Sequence, residues 1–518
     1  MTLKEKLLCL LLSVGICTDS AYSQHKHPIK WGDQKNGTYI NPILNADYSD
    51  PDVIRVKNKY YMVCSDFHFI GMQVLESDDM INWKIISQIY SEFPGQEWNK
   101  NQMYGSGAWA PSLRFHDNKF WMFVCTPHEL YMSQAYDPHG PWSPLHVVKK
   151  VEHWEDPCPI WTQNGEAYLG RSQWGGGPII IHRMSPDGKS LLDEGVTVYT
   201  GPVSEGIKFY FLNDYYYISI PEGGVATGWQ TILRSKNIYG PYEKKVVLEQ
   251  GCTDINGPHQ GSLVNTPEGE WWFYHFQSTE PLGRVVHLQP VHWKDNWPLI
   301  GVDIDMNGIG EPVKVWSTPY IKKNSTPILP QTNDSFNNNK LGLQWQFNHN
   351  PDNVAWSFTE RKGCLCIHAS KAENLQQARN MLTQKCMGYQ SEAFTKVELK
   401  HMKEGQRVGL LAIGNTFYGA GVIYHNGRKY VYIEKNGIIK KICEWKHHYI
   451  FLKIRFNARQ NSHQFYYSTN ETDYKSCGKA FNLYSGNWKG IRTGLFTYNT
   501  NKNAGTAYFD YFKYAINE

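Results

Sequence analysis

Several things are scarce in these 518 residues, and each scarcity removes a class of function. Charged side chains make up only 19% of the chain, with 52 Lys and Arg against 48 Asp and Glu, so the net charge of +4 is spread without a basic stripe. That argues against nucleic acid as a partner. After Gln24 no apolar run reaches the roughly 18 residues that a membrane span needs. Cysteine gives no framework either: discounting Cys9 and Cys17 leaves nine, an odd number, so at least one thiol is free and few disulfides or none are expected. Cys364-Leu365-Cys366 has no recognised metal or redox spacing, and no histidine stands at zinc-like spacing from His259.

The chain is instead rich in aromatics, 14% of all residues, and in turn formers. It begins with Lys4 and Lys6, an apolar run from Leu7 to Ile16, and Ala21-Tyr22-Ser23. This is the pattern of an export signal over residues 1–23, so the mature protein is expected in the periplasm or outside the cell. At this length more than one domain is expected.

Between Asp50 and Phe276 one unit recurs five times: a marked residue, a short apolar stretch, a polar turn and an aromatic-rich run. The runs begin at Tyr60, Phe120, Ala167, Tyr215 and Trp271, spaced by 47 to 60 residues. Such a period suits one four-stranded blade of a propeller, which implies a five-bladed β-propeller over 24–316. The opening residues, taken about ten to twelve positions before each run, are Asp50, Trp109, Asp156, Glu205 and His259. Equivalent positions of a closed ring sit at equivalent radii, so these five side chains are expected around one mouth of the axis. Pro51 and Pro157 are expected to restrict the backbone of the acids they follow.

Three carboxyls gathered in one place are costly, because like charges and desolvation both disfavour ionisation. Glycoside hydrolysis gives such a cluster a use, with one acid to protonate the leaving oxygen and one carboxylate to activate water or attack the anomeric carbon. Taken singly, Asp-Pro and Glu-Gly are ordinary turn openers.

Breakers dominate 317–332, read as a linker. Beyond it, short alternating strands are separated by Asn426-Gly427 and Asn436-Gly437, and Ala507–Tyr514 forms a last apolar run. That pattern predicts a β-sandwich over 333–518 and an all-β chain.

On these residues the chain resembles glycoside hydrolase family 43. The matching motifs are Asn41-Pro42-Ile43-Leu44, Ser49-Asp50-Pro51-Asp52, Gly107-Ala108-Trp109-Ala110-Pro111-Ser112, Glu155-Asp156-Pro157, Ser204-Glu205-Gly206, Pro221-Glu222-Gly223-Gly224, Gly257-Pro258-His259-Gln260-Gly261 and Gly283-Arg284. The resemblance implies an inverting glycosidase acting on xylose- or arabinose-containing polysaccharides and oligosaccharides, with a concanavalin-like C-terminal domain. It implies Asp50 as general base, Glu205 as general acid and Asp156 as the residue that tunes Glu205. Phe67 and Trp109 would pack on sugar, Arg284 would bind its hydroxyls, and His259 would sit at the axis near a water or a calcium ion. No cofactor is required for the chemistry; Asp334 and Asp510 are candidate holders of a structural calcium.

The leading expectation is an exo-acting β-D-xylosidase, with α-L-arabinofuranosidase as the alternative. A retaining fructan hydrolase is disfavoured because its middle acid follows an arginine, whereas Glu155 precedes Asp156 here. A non-catalytic carbohydrate-binding propeller remains open. An endo-arabinanase is disfavoured because that group normally lacks the C-terminal sandwich.

Overall fold

The computed structural model describes residues 30–100, 102–321 and 328–518; the export signal read over 1–23 lies outside them. Apart from one short helix, Glu97–Lys100, and two 3₁₀ turns, the described elements are strands, so the chain is all-β. No helix is long and apolar enough to cross a membrane.

Five four-stranded antiparallel sheets occupy 52–300. Their leading strands are β1 (Asp52–Val56), β2 (Trp109–His116), β3 (Trp154–Trp161), β4 (Lys208–Leu212) and β5 (His259–Asn265). Each is followed by the strand that carries an aromatic run: Lys59–Val63, Lys119–Cys125, Ala167–Gln173, Tyr215–Glu222 and Trp271–Thr279.

These second strands read as continuous apolar runs because both of their faces are covered. In the second sheet Phe120, Met122 and Val124 pack with Tyr61 of the first. The alternate residues Trp121, Phe123 and Cys125 pack with Leu169 of the third. This is the period of two that a strand imposes, with apolar side chains on both sides.

Polar ties run from each sheet to the next. Leu113 N–H donates to Asp52 Oδ2 (2.7 Å), Ser112 Oγ to the Pro157 carbonyl (2.5 Å) and Phe209 N–H to Cys158 Sγ (3.2 Å). Leu263 N–H donates to the Tyr210 hydroxyl at 2.9 Å. The fifth sheet is tied to the first by Val53 N–H donating to Ser262 Oγ at 2.7 Å. Asn41 fastens the N-terminal approach, donating to the carbonyls of Leu288 and Val313 while its Oδ1 accepts from Leu288 N–H.

The C-terminal part contains two eight-stranded sheets whose strands lie between Gln346 and Ile516. Both Asn-Gly pairs turn hairpins between Phe417–His425, Arg428–Lys435 and Ile438–Glu444. All four turn residues have positive φ (52° and 71°, then 45° and 83°), as a two-residue type I′ turn requires. The nine described cysteines are all free. The stretch read as a linker is partly outside the described residues, at 322–327. Its described end is tied to the first sheet, where the Gln331 amide exchanges hydrogen bonds with the backbone of Ile85.

Candidate active site

At the head of every leading strand the backbone enters the left-handed region. The residues are Asp50 (φ 54°), Ala110 (38°), Asp156 (56°), Gly206 (63°) and Gln260 (38°). A side chain there costs about 1–2 kcal/mol. The pairing register also slips at this place, between Trp109 and Ser112, between Glu155 and Cys158, and between His259 and Gly261. These are bulges, which re-aim side chains.

Two expectations change as a result. A following proline favours extended backbone, so Pro51 and Pro157 do not aim Asp50 and Asp156; the bulge and its hydrogen bonds hold Asp156, and hydrogen bonds from Arg284, Ser65 and Ser49 hold Asp50. The repeat is also phased differently. Asp50 and Asp156 are equivalent to Ala110, Gly206 and Gln260, whereas Trp109, Glu205 and His259 belong one position earlier, with Ser49 and Glu155. Residues from both positions line the same cavity, all but Ser49 and Gly206.

One cavity of about 220 Å³ is lined by all seven anticipated residues: Asp50, Phe67, Trp109, Asp156, Glu205, His259 and Arg284. It is smaller than the roughly 300–1,000 Å³ of sites for drug-sized ligands.

Asp50 is buried and held from three sides. Arg284 Nη1 donates to Oδ1 at 2.7 Å, while the hydroxyls of Ser65 (2.5 Å) and Ser49 (3.0 Å) donate to Oδ2. Ser65 Oγ in turn accepts from Ala110 N–H at 2.6 Å, which links the entries of two neighbouring sheets. Arg284, expected to serve sugar hydroxyls, therefore already has a protein partner. Its guanidinium also lies 4.6 Å from the centre of the Phe276 ring.

Asp156 accepts hydrogen bonds from Ser172 Oγ, from Gly206 N–H at 2.7 Å and from Gln260 Nε2 at 2.8 Å. The bond to Gly206 fixes the backbone directly after Glu205. Glu205 Oε1 stands 2.9 Å from His259 Nε2, close enough for an ion pair but without hydrogen-bond alignment, so neither nitrogen of the buried His259 ring is satisfied by the protein. Burial, and then the charge of Glu205, push the Asp156 carboxyl up to about 6.

The aromatic wall is asymmetric. Trp109 is 8% exposed and anchored by its indole N–H on the Gly105 carbonyl, and Phe67 is 4% exposed with its backbone paired to Ala108. Two tryptophans not anticipated from the sequence, Trp174 and Trp488, complete the wall and are 49% and 46% exposed. Trp488 comes from the C-terminal part, on a loop fastened to the segment before Arg284 by Ser485, which donates from both N–H and Oγ to Glu280. No repeat signal marks either one.

Glu155 was also missed as a site residue, although it stands in one of the quoted motifs. It lines the cavity, and burial followed by the charges of Asp156, Glu205 and Asp50 pushes its carboxyl up to about 9.

The two candidate calcium residues lie elsewhere. Asp334 accepts from the N–H groups of Phe336, Gly342 and the Trp345 indole, and Asp510 pairs with Lys396 at 2.8 Å. Among the described residues one group with metal-ligand donors is gathered, Glu360, Cys366 and His368, also in the C-terminal part. Its members hydrogen-bond or ion-pair with one another.

Comparison with known proteins decides the family. The model for glycosyl hydrolases family 43 matches residues 39–298, and that for the β-xylosidase C-terminal concanavalin A-like domain matches 333–515. The chain belongs to glycosyl hydrolase family 43. A Xylanibacter ruminicola protein named "Putative beta-xylosidase" is 55% identical over 468 residues, 90% of this chain and 88% of its own. The β-xylosidase of Formosa agariphila is 36% identical over 98% of this chain and 97% of its own. Among solved structures, the family 43 protein BlXynB of Bacillus licheniformis superposes with a TM-score of 0.79 at 25% identity, covering 92% of this chain and 99% of that one. This family 43 member is thus a glycosidase, an enzyme that hydrolyses O-glycosyl bonds.

Proposed function

We propose that this family 43 enzyme is an exo-acting, inverting β-D-xylosidase that removes single xylose units from xylan-type chains. The observation that carries the reading is that Asp50, Asp156 and Glu205 share one small cavity walled by tryptophan and phenylalanine. The size suits one sugar ring better than a chain lying across a cleft. The names of the two relatives above support xylose as that sugar.

In this reading the five sheets are the blades of a five-bladed propeller with the cavity at its axis, followed by a β-sandwich over 333–518. The cyclic ties between sheets support it. Asp50, oriented by Arg284 and two hydroxyls, takes a proton from the water that attacks the anomeric carbon. Glu205 gives a proton to the departing oxygen. Asp156 holds Gly206 and places its carboxyl beside Glu205. Trp109 and Phe67 pack on the sugar, and His259 braces Glu205. An inverting pair leaves roughly 6.5–9.5 Å between base and acid for the water. Export through the 1–23 segment would bring the enzyme to its polysaccharide.

The test is to incubate the protein with an aryl β-D-xyloside and an aryl α-L-arabinofuranoside and follow the first anomer released by NMR. Rapid release of α-xylose from the xyloside is expected, with the arabinofuranoside slower. First release of the β-anomer would overturn inversion, and a faster arabinofuranoside would replace xylose as the preferred sugar.

A further inference from the structure

We propose that Glu155 is a sugar-binding residue of this pocket, its carboxyl group hydrogen-bonding a hydroxyl of the bound pentose. The inference rests on the pocket being the sugar site and adds a contact to it.

Glu155 sits at the bulge of β3, one position before Asp156, and is the counterpart of Glu205 one sheet earlier. The residue lines the cavity. Two of the other acids there are occupied by the protein. Asp50 and Asp156 each take three hydrogen bonds, and Glu205 faces His259. Among the described residues no hydrogen bond or ion pair reaches the Glu155 carboxyl, so its hydrogen-bonding capacity is left for whatever fills the cavity.

The surroundings fix its form. Asp156 on its own strand, Glu205 before β4 and Asp50 before β1 all oppose a negative charge on Glu155; Arg284, already paired with Asp50, favours one. His259 faces Glu205 from β5. Burial opposes a charge on Glu155 most of all, so the proton stays on through neutral pH. A protonated carboxyl offers one O–H donor and acceptor oxygens, the pair of functions a sugar hydroxyl satisfies in turn.

The experiment is a titration of wild-type protein, E155Q and E155A with free D-xylose and L-arabinose, read by the fluorescence of the pocket tryptophans at pH 6 and pH 10. Circular dichroism checks that each variant is folded. At pH 6 E155A should weaken the Kd about tenfold, the worth of one hydrogen bond of ordinary strength. E155Q, which still donates and accepts, should stay within about threefold of wild type. At pH 10 wild type should weaken as Glu155 becomes an acceptor only, and E155Q should then bind more tightly than wild type. Equal Kd values for E155A and wild type, or the same pH dependence in E155Q and wild type, would overturn the role of Glu155 alone. A wild-type protein that binds neither pentose would overturn the reading of the pocket itself.

Discussion

At the scale of single residues, what separates the three acids is who holds them. Asp50 is clamped by a guanidinium and two hydroxyls, Asp156 by a hydroxyl, a backbone N–H and an amide. D50N and E205Q should each lower kcat by about 10²–10⁴-fold, the usual worth of a positioned base or acid, with Tm unchanged within error. A variant of either kind with near-native kcat would remove that residue from the mechanism. D156N is subtler. The unpaired Gln260 Oε1 lets that amide turn over to accept from a new Asn nitrogen, so the network survives while the charge is lost. The reaction should slow, and the alkaline limb of the kcat/KM profile should move to lower pH, because a nearby negative charge holds protons on its neighbours. An unmoved profile would leave Asp156 a purely structural acceptor.

Glu155 also makes stability depend on pH. Its carboxyl rises from 4.5 to about 9 on folding, so this group favours the folded state fully below pH 4.5 and the advantage is lost as pH climbs to about 9. Scanning calorimetry should therefore find E155Q gaining on wild type in Tm between pH 5 and pH 9. Parallel curves would mean that folding does not raise the Glu155 carboxyl. This residue was hard to see from the sequence because the neighbouring Asp156 carries the Asp-Pro signature. Asp50, Asp156, Glu205 and Trp109 were legible because each stands ten or eleven positions before an aromatic run. The one-residue error in phase came from the backbone: a left-handed residue before proline runs against the local preference that a sequence displays.

At the scale of elements, the strands were legible wherever both faces are buried, since unbroken runs such as Phe120–Cys125 leave little choice. The Asn-Gly hairpins were legible because only a few residue pairs accept two positive φ angles in succession. The bulges were not, since a slipped register depends on the partner strand. The bulge of β5 illustrates the constraint. A Cβ on Gly261 would stand 1.6 Å from the Tyr274 carbonyl oxygen on the paired strand, and that oxygen cannot swing away as a side chain could. G261A should cost about 1–3 kcal/mol, as overpacking does, measurable as a lower urea midpoint. If the midpoint does not move, β5 can shift relative to its neighbour, and the placement of His259 and Gln260 is looser than their contacts suggest.

At the scale of the whole molecule, the two halves are joined by buried polar and ring contacts between residues far apart in the chain. Lys385 Nζ meets Asp66 Oδ1 at 2.8 Å with both side chains buried, and Asp66 Oδ2 also accepts from Gln73 N–H. Arg492 lies 3.8 Å from the centre of the Phe69 ring, and His68 stacks on His349. No local pattern announces partners about 280 to 420 residues apart, which is why neither this junction nor Trp488 at the pocket rim was legible in the sequence. Phe67, on the pocket wall, directly follows Asp66, so the junction and the site share a segment. K385M should leave Asp66 buried without its cation and cost about 3–5 kcal/mol, with D66N added to K385M recovering most of it. Because the junction is continuous with the core, calorimetry should show both halves of the wild-type protein unfolding in one transition. Two resolved transitions, with activity lost in only one, would mean that the C-terminal half is an appendage and that Trp488 reaches the pocket without supporting it.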